Sequence, residues 1–214
     1  MTQSRQIHLL GAQGCGSAIV EAMLVTAKIP YSYEQVDYGA DSPTRARLLE
    51  VNPLGQVPAM VLPDGTLMTE SAAIAMYLND LAPEAKLILP ADHPQRAHFL
   101  RWFVFLVAAL YPTWTYGDDP AKWLAGDAKA GKALRAATDE HRKVMLGWIN
   151  AAADDKGPWF LGKTFSVIDL YFAFMSYWRP GRSWYEANAP RLFAIAQKAA
   201  EKPKIGKLIE AHMG

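Results

Sequence analysis

Apolar positions along this chain follow two regimes. Up to about residue 82, short apolar runs alternate with helical stripes; beyond residue 92 the spacing is helical throughout. Ile7-His8-Leu9-Leu10 is a run of the length expected for a buried strand. Ile19, Ala22, Met23 and Thr26 then repeat at i, i+3, i+4, i+7, which predicts a helix that Pro30 ends. Tyr31 to Val36 alternates and predicts a second strand. Thr44 to Val51 predicts a short helix. Ala59 to Leu62 and Leu67 to Thr69 predict two strands joined at Pro63-Asp64-Gly65, where proline presets φ and glycine accepts a positive one. Ser71 to Leu81 carries Ile74, Tyr77, Leu78 and Leu81 on one helical face. The resulting order is β-α-β-α-β-β-α. Two strands joined through a helix predict a parallel pair, and the hairpin adds an antiparallel one.

Ala82 to Asp92 carries two prolines and reads as a linker. After it, Asp92 is placed to cap a helix with the stripe Phe99, Trp102, Phe103, Leu106, Leu110, broken up by Pro112 and Gly117. Asp127 to Ala153 predicts a long helix. Ser166-Val167-Ile168-Asp169 has capping-box spacing and precedes the stripe Ile168, Tyr171, Phe172, Met175. Pro180-Gly181 stops that helix, Pro190 can begin another, and Pro203 divides it from a last short one.

Half of the 214 residues are hydrophobic, which supplies a sizeable core. The formal charge of +1 is spread over both signs, and no basic stripe points to nucleic acid. A single cysteine excludes an internal disulfide framework and fits a reducing, cytoplasmic compartment. Met1 to Gln6 has no apolar core, so no signal peptide is expected. The longest apolar run, Trp102 to Pro112, is too short to cross a membrane. The five histidines show no zinc spacing, and no metal site is expected.

Two blocks carry candidate chemistry. The first is the glycine-rich loop Gly11-Ala12-Gln13-Gly14-Cys15-Gly16, followed by Ser17 as a candidate N-cap. Its glycines do not follow the dinucleotide order G-x-G-x-x-G, although Asp37 stands at a compatible distance; a nicotinamide enzyme is therefore a third-ranked reading. The second runs from Asn52-Pro53-Leu54-Gly55-Gln56-Val57-Pro58 through the hairpin to Thr69-Glu70-Ser71. Here a proline leaves strand-edge backbone open to a ligand. A carboxylate, a hydroxyl and free helix N–H groups converge where strand becomes helix.

The second block, and with it nearly the whole chain, resembles the glutathione transferase superfamily. That resemblance implies an α/β N-terminal thioredoxin-like domain over residues 1–82, a linker over 83–92 and an all-helical domain over 93–214. It implies that Val57, beside a cis Pro58, offers its backbone to the cysteinyl part of glutathione, that Glu70 and Ser71 hold the γ-glutamyl end, and that Gln56 serves the glycyl carboxylate, with Arg45 and Arg47 as weaker candidates. The family lowers the pKa of the glutathione thiol, because the thiolate is the nucleophile, by hydrogen bonds and a helix N-terminus aimed at the sulfur. Cys15 and Ser17 are the catalytic candidates. The serine, cysteine or tyrosine of several classes falls on Gly14 or Gly16 here, so either the loop is shifted by one residue or backbone N–H groups replace the hydroxyl. Cys15 is alternatively a mixed-disulfide former or an inert thiol, and Ser17 only a cap. Tyr31 and Tyr33 read as strand packing, and Asp169 as structural.

A small apolar or aromatic electrophile is the implied second substrate, with Trp102, Phe105, Tyr111 and Trp114 as candidate pocket residues and Trp178, Arg179 and Trp184 as a further cluster. A homodimer is implied as well. A non-catalytic glutathione-binding or protein-interaction module on the same fold is the alternative.

Overall fold

The computed structural model describes residues 6–38 and 42–214. The N-terminal stretch read as lacking a signal lies, except for Gln6, outside the described residues. By its internal contacts the chain divides into two compact units. One runs through Ile88 and takes in Ala199–Gly214; the other is Leu89–Lys198.

In the first unit, strands β1 (Ile7–Gly11), β2 (Tyr31–Gln35), β3 (Ala59–Val61) and β4 (Leu67–Met68) form one sheet in the order β2-β1-β3-β4. β1 runs parallel to β2, with Ile7 across from Tyr31, and antiparallel to β3, with Leu9 across from Met60. β3 and β4 close the expected hairpin, with Met60 across from Met68. Four strands with one parallel pair do not extend to the doubly wound sheet of a dinucleotide enzyme. Helices α1 (Ser17–Ala27), α2 (Pro43–Val51) and α3 (Ser71–Leu81) alternate with the strands. Ser42 accepts the Arg45 N–H and caps α2, with Pro43 at its first position. Leu10, Val36, Leu48 and Ala59 form a core cluster against which Val57 and Val61 pack.

The predicted stripe on α1 proves too narrow. Every residue from Ser17 to Leu24 is buried, because α1 packs against β1, α3 and the last helix, α10 (Pro203–Met213). A helix apolar around most of its girth is one that is covered on most sides. Its N-cap is Gly16 rather than Ser17. In the expected linker, Pro83–Ala85 is a 3-10 turn, and Leu87, Ile88 and Leu89 are buried.

The second unit holds α4 (Arg96–Phe105), α5 (Pro112–Asp118), α6 (Ala128–Ala152), α7 (Val167–Met175), α8 (Arg182–Asn188) and nearly all of α9 (Pro190–Ala200). Asp92 does not cap α4, which starts four residues later behind Gln95. Between α4 and α5 the chain widens into a π turn over Leu106–Leu110, where the Tyr111 N–H reaches the Leu106 carbonyl at 2.9 Å. The wider turn admits Pro112, which has no N–H to donate and whose ring would collide with the carbonyl four residues back. Asp127 caps α6 by accepting the Lys129 and Ala130 N–H groups, each at 2.9 Å. None of the helices among the described residues is long and apolar enough to cross a membrane.

A capping box of Ser166 and Asp169 starts α7, which is buried along its whole length. The fully buried Asp169 carboxylate accepts the Ser166 N–H at 2.8 Å and the Phe160 N–H at 2.7 Å. Asp169→Ala leaves two buried donors unpaired and is expected to cost about 3 kcal/mol. Urea unfolding at neutral pH checks this. A loss no larger than that from an exposed ion pair, about 1 kcal/mol or less, contradicts it.

Candidate functional site at the end of the sheet

Strand register gathers the candidate residues. Continuing the β1–β3 pairing two residues past Leu10 and Ala59 sets Gly11 across from Pro58 and Ala12 across from Val57. Continuing the β3–β4 pairing likewise sets Pro58 across from Glu70 and Val57 across from Ser71. The glycine-rich loop, the Val57-Pro58 step and the Glu70-Ser71 step therefore lie at one end of the sheet. The N-terminus of α1 starts from the same loop, with the partial positive charge of a helix start; its Ala18 and Ile19 N–H groups donate to the Cys15 and Gly16 carbonyls, each at 3.1 Å.

The Val57–Pro58 peptide bond is cis. Val57 and Pro58 are half-buried, and Gln56 is exposed, its carbonyl accepting the Asn52 side-chain amide at 2.9 Å. Glu70 is exposed and has φ +60°, a conformation non-glycine residues rarely adopt. Such outliers persist where the surroundings enforce them and cluster at binding sites. Its carbonyl begins α3 by accepting the Ile74 N–H at 3.0 Å. Ser71 is half-buried at the first position of that helix.

Ser17 is turned inward. Fully buried, its hydroxyl accepts the Ala12 N–H at 3.0 Å and donates to the Ala12 carbonyl at 3.2 Å. That double bond to one residue fastens the loop to α1, so the geometry opposes the expectation that Ser17 serves a ligand's sulfur. Cys15 is half-buried, between Gly14 at φ +72° and the helix start, with its N–H on the Ala12 carbonyl at 3.2 Å. Of the two catalytic candidates it is the one with surface to offer.

Two tyrosines join this site without having been assigned to it. Tyr33 lies over Gly11, where a Cβ would come within 2.7 Å of the Tyr33 hydroxyl and 2.9 Å of the Ser17 Cβ. Only glycine at position 11 leaves that space. The Tyr33 hydroxyl donates to the Gln35 side-chain oxygen at 3.2 Å. The Arg45 guanidinium lies over the Tyr38 ring at 5.5 Å. Burial, with the nearby Cys15 thiol adding to it, raises the Tyr38 pKa; the Val57 N–H and Arg45 oppose the rise. Arg47 instead pairs with Glu50 at 3.1 Å on the surface.

The four aromatic candidates divide within the second unit. Trp102 is buried among His98, Phe105, Trp148 and Phe160. Trp114 is buried under the Arg142 guanidinium at 4.5 Å and donates its indole N–H to the Arg179 carbonyl at 2.9 Å. Both are core residues, contrary to the pocket expectation. Phe105 and Tyr111 are half-buried, Tyr111 with its ring edge against Trp178. Arg142, which the sequence did not flag, is fully buried, its Nε donating to the Thr113 hydroxyl and its Nη2 to the Thr113 carbonyl, both at 2.9 Å.

A parallel pair and an antiparallel hairpin, a cis-prolyl step and a helix start meeting at one sheet end define a thioredoxin-like module, here in a chain with a second, helical unit. Comparison with known proteins agrees. The family model for the glutathione S-transferase N-terminal domain matches residues 17–81. An uncharacterised GST-like protein of Escherichia coli K12, YncG, is 36% identical over 205 residues, covering 95% of this chain and 97% of that one. A sphingomonad glutathione S-transferase, solved in complex with glutathione, superposes with a TM-score of 0.75 at 26% identity over 96% of this chain and 98% of that one. A glutathione transferase homologue from Sulfitobacter, with bound glutathione, shares the fold with a TM-score of 0.82 at 21% identity, covering 99% and 100% of the two chains. The chain belongs to the glutathione S-transferase family.

Tyr33 has a consequence in alkali. Burial first, and the charge of Glu21 next, push its phenol up to about 12. An unfolded tyrosine ionises near pH 10. The folded chain thus keeps a proton that the unfolded chain releases, so this stabilisation is whole below about pH 10 and is lost as pH rises toward 12. Thermal melts across that range should fall more steeply for the parent chain than for Tyr33→Phe; equal slopes contradict the assignment.

Proposed function

We propose that this glutathione transferase binds glutathione at the sheet end where Val57, Glu70 and Ser71 converge, and that it activates the thiol beside Cys15. The observation supporting the reading is the register of β1, β3 and β4, which, continued past Leu10, Ala59 and Met68, runs toward Ala12, Val57 and Ser71 at one end of the sheet. A tripeptide laid along Val57 takes the place of an added strand, with main-chain hydrogen bonds supplying affinity. Its α-carboxylate meets the Ser71 hydroxyl and the α3 N-terminus; its ammonium meets Glu70. Gln56 and Arg45 serve the glycyl carboxylate, Arg45 being preferred to Arg47 because Arg47 is held by Glu50. The sulfur then lies at the start of α1, where Cys15 and preorganised N–H groups stabilise the thiolate.

The thiolate attacks a small apolar or aromatic electrophile, and Phe105 and Tyr111 are the two of the four aromatic candidates left with exposed area. A non-catalytic glutathione-binding module is the second reading. It is favoured by one observation, the commitment of the Ser17 hydroxyl to Ala12. The single cysteine suits a reducing cytoplasm.

Calorimetry tests the binding site. Glu70→Ala and Ser71→Ala should each weaken glutathione binding about tenfold or more, the effect of losing a charged hydrogen bond. Changes within twofold for both overturn the site. Turnover of an electrophile panel separates the two readings: tight binding with no turnover, unaltered by Cys15→Ala, favours the module.

We also propose a homodimer through the outer face of α4 and α6. Val104 on α4 is 55% exposed, and Val144 and Trp148 on α6 are 70% and 54% exposed. Arg101 and Phe105 of α4 lie against the Trp148 ring at 5.6 and 5.5 Å, which joins the exposed sides of the two helices. Sedimentation should show a dimer at micromolar concentration and a monomer for Val144→Glu with Val104→Glu. A monomeric parent chain contradicts it.

A further inference from the structure

Glu21 is a carboxylate on the buried face of α1, 8% exposed. Burying such a charge costs several kcal/mol unless it is paired and hydrogen-bonded. Two partners meet it. The Tyr31 hydroxyl donates to Oε1 at 2.7 Å, and His212 Nε2, from the last turn of α10, bonds Oε2 at 2.7 Å. His212 is 7% exposed, and the edge of its ring packs on Tyr33 with centroids 5.9 Å apart. A well-packed apolar pair would join two helices as firmly. What the bonded set adds is one fixed position of α10 along α1.

That position brings the end of α10 onto the loop that carries Cys15. The Gln13 side-chain amide donates to the Ala211 carbonyl at 3.3 Å. A Cβ at Gly14 would stand 3.9 Å from the His212 carbonyl oxygen. Glu21 itself lies one turn beyond Ser17, whose hydroxyl grips Ala12. The loop is thus held from inside by Ser17 and from outside by α10, and all of these residues lie in the first compact unit.

We infer that α10 is a clamp on the β1–α1 loop, and that Glu21, His212 and Gln13 are positioning residues that set Cys15 and the first N–H groups of α1 against the glutathione sulfur. His212 acts through the others and does not touch substrate. Its second ring nitrogen, Nδ1, is shut off from solvent and has no hydrogen-bond partner among the described residues, so it has no route to exchange a proton with a ligand. The tautomer with its proton on Nε2 donates to Glu21 and leaves only an acceptor lone pair dry, the cheaper group to orphan. This inference rests on the reading that the sulfur lies beside this loop.

The test uses the full chain with His212→Ala, Glu21→Gln and Gln13→Ala, and with His212→Gln as the conservative replacement whose amide can still donate to Glu21. The bound thiol is titrated by its thiolate absorbance, and the kcat and KM of an aryl halide are measured. His212→Ala and Glu21→Gln should lower the thiolate fraction at neutral pH and kcat/KM by about tenfold, the scale of a slight misplacement of reacting groups, with KM for the halide within about twofold. Gln13→Ala, on the surface, should give a smaller loss in the same direction, and His212→Gln should recover most of the activity. Folded variants that lose thermal stability but keep the parent thiol titration and kcat/KM overturn the proposal. Amide hydrogen exchange of residues 12–16 without glutathione gives a separate reading. Faster loop exchange in His212→Ala supports the clamp, and unchanged exchange overturns it, even for a chain that binds no glutathione.

Discussion

Strand β1 pairs on both sides, parallel to β2 and antiparallel to β3, and those two registers decide where every neighbouring segment ends. A sheet register cannot slip by one residue without turning every side chain to the other face. His8 on β1 bonds Ser32 and Glu34 of β2, each at 2.9 Å, ties that a slip would break. The last residue of β1, Gly11, therefore stands across from Pro58, and the hairpin brings Glu70 and Ser71 to the same level. The ligand-facing backbone, the helix starts and the glycine loop meet because strands of fixed length run out together.

The chemistry available at that end follows from what the packing leaves unused. Ser17 is the residue type that could serve a thiolate, but its hydroxyl is consumed in tying Ala12 to α1. Gly11 is glycine because Tyr33 fills the space a side chain would need. On the proposed reading the ligand meets half-buried Cys15, the start of α1, the Val57 backbone and the exposed Glu70. In such an arrangement the reactive sulfur comes with the ligand, and the protein supplies orientation and preorganised dipoles.

The helical unit is assembled on different terms. Of its interior polar groups, Asp169 holds its own N-cap Ser166 and the preceding loop at Phe160, and Arg142 on α6 reaches Thr113 on α5. Arg142 thereby ties two helices, as Glu21 and His212 tie α1 and α10 in the first unit. In both units a buried charge is tolerated because each of its bonds is short and its partners come from different elements.

Much of the fold was legible in the residues themselves. Alternation at Tyr31 to Gln35, the Pro63-Asp64-Gly65 turn, the Asp127 cap and the Ser166–Asp169 capping box are local signals, written over a few positions where propensity and hydrogen bonding act on neighbours. The Val57-Pro58 and Glu70-Ser71 steps were legible for the same reason. The positions of Tyr33, Tyr38 and His212 were not, nor was the retreat of Trp102 and Trp114 into the core. A tyrosine at period 2 reads as packing until the strand beside it is known, and a histidine near the end of the chain has no local mark of the glutamate 191 residues away that it bonds. By itself the sequence determined which segments are strands and helices, and where those with a strong cap such as Asp127 or Ser166 begin, although not the start of α4. Only the tertiary structure decided that the Ser17 hydroxyl is spent on the loop, that Trp102 and Trp114 are core, and that the end of α10 lies against the β1–α1 loop, because those outcomes depend on contacts between segments that share no sequence neighbourhood.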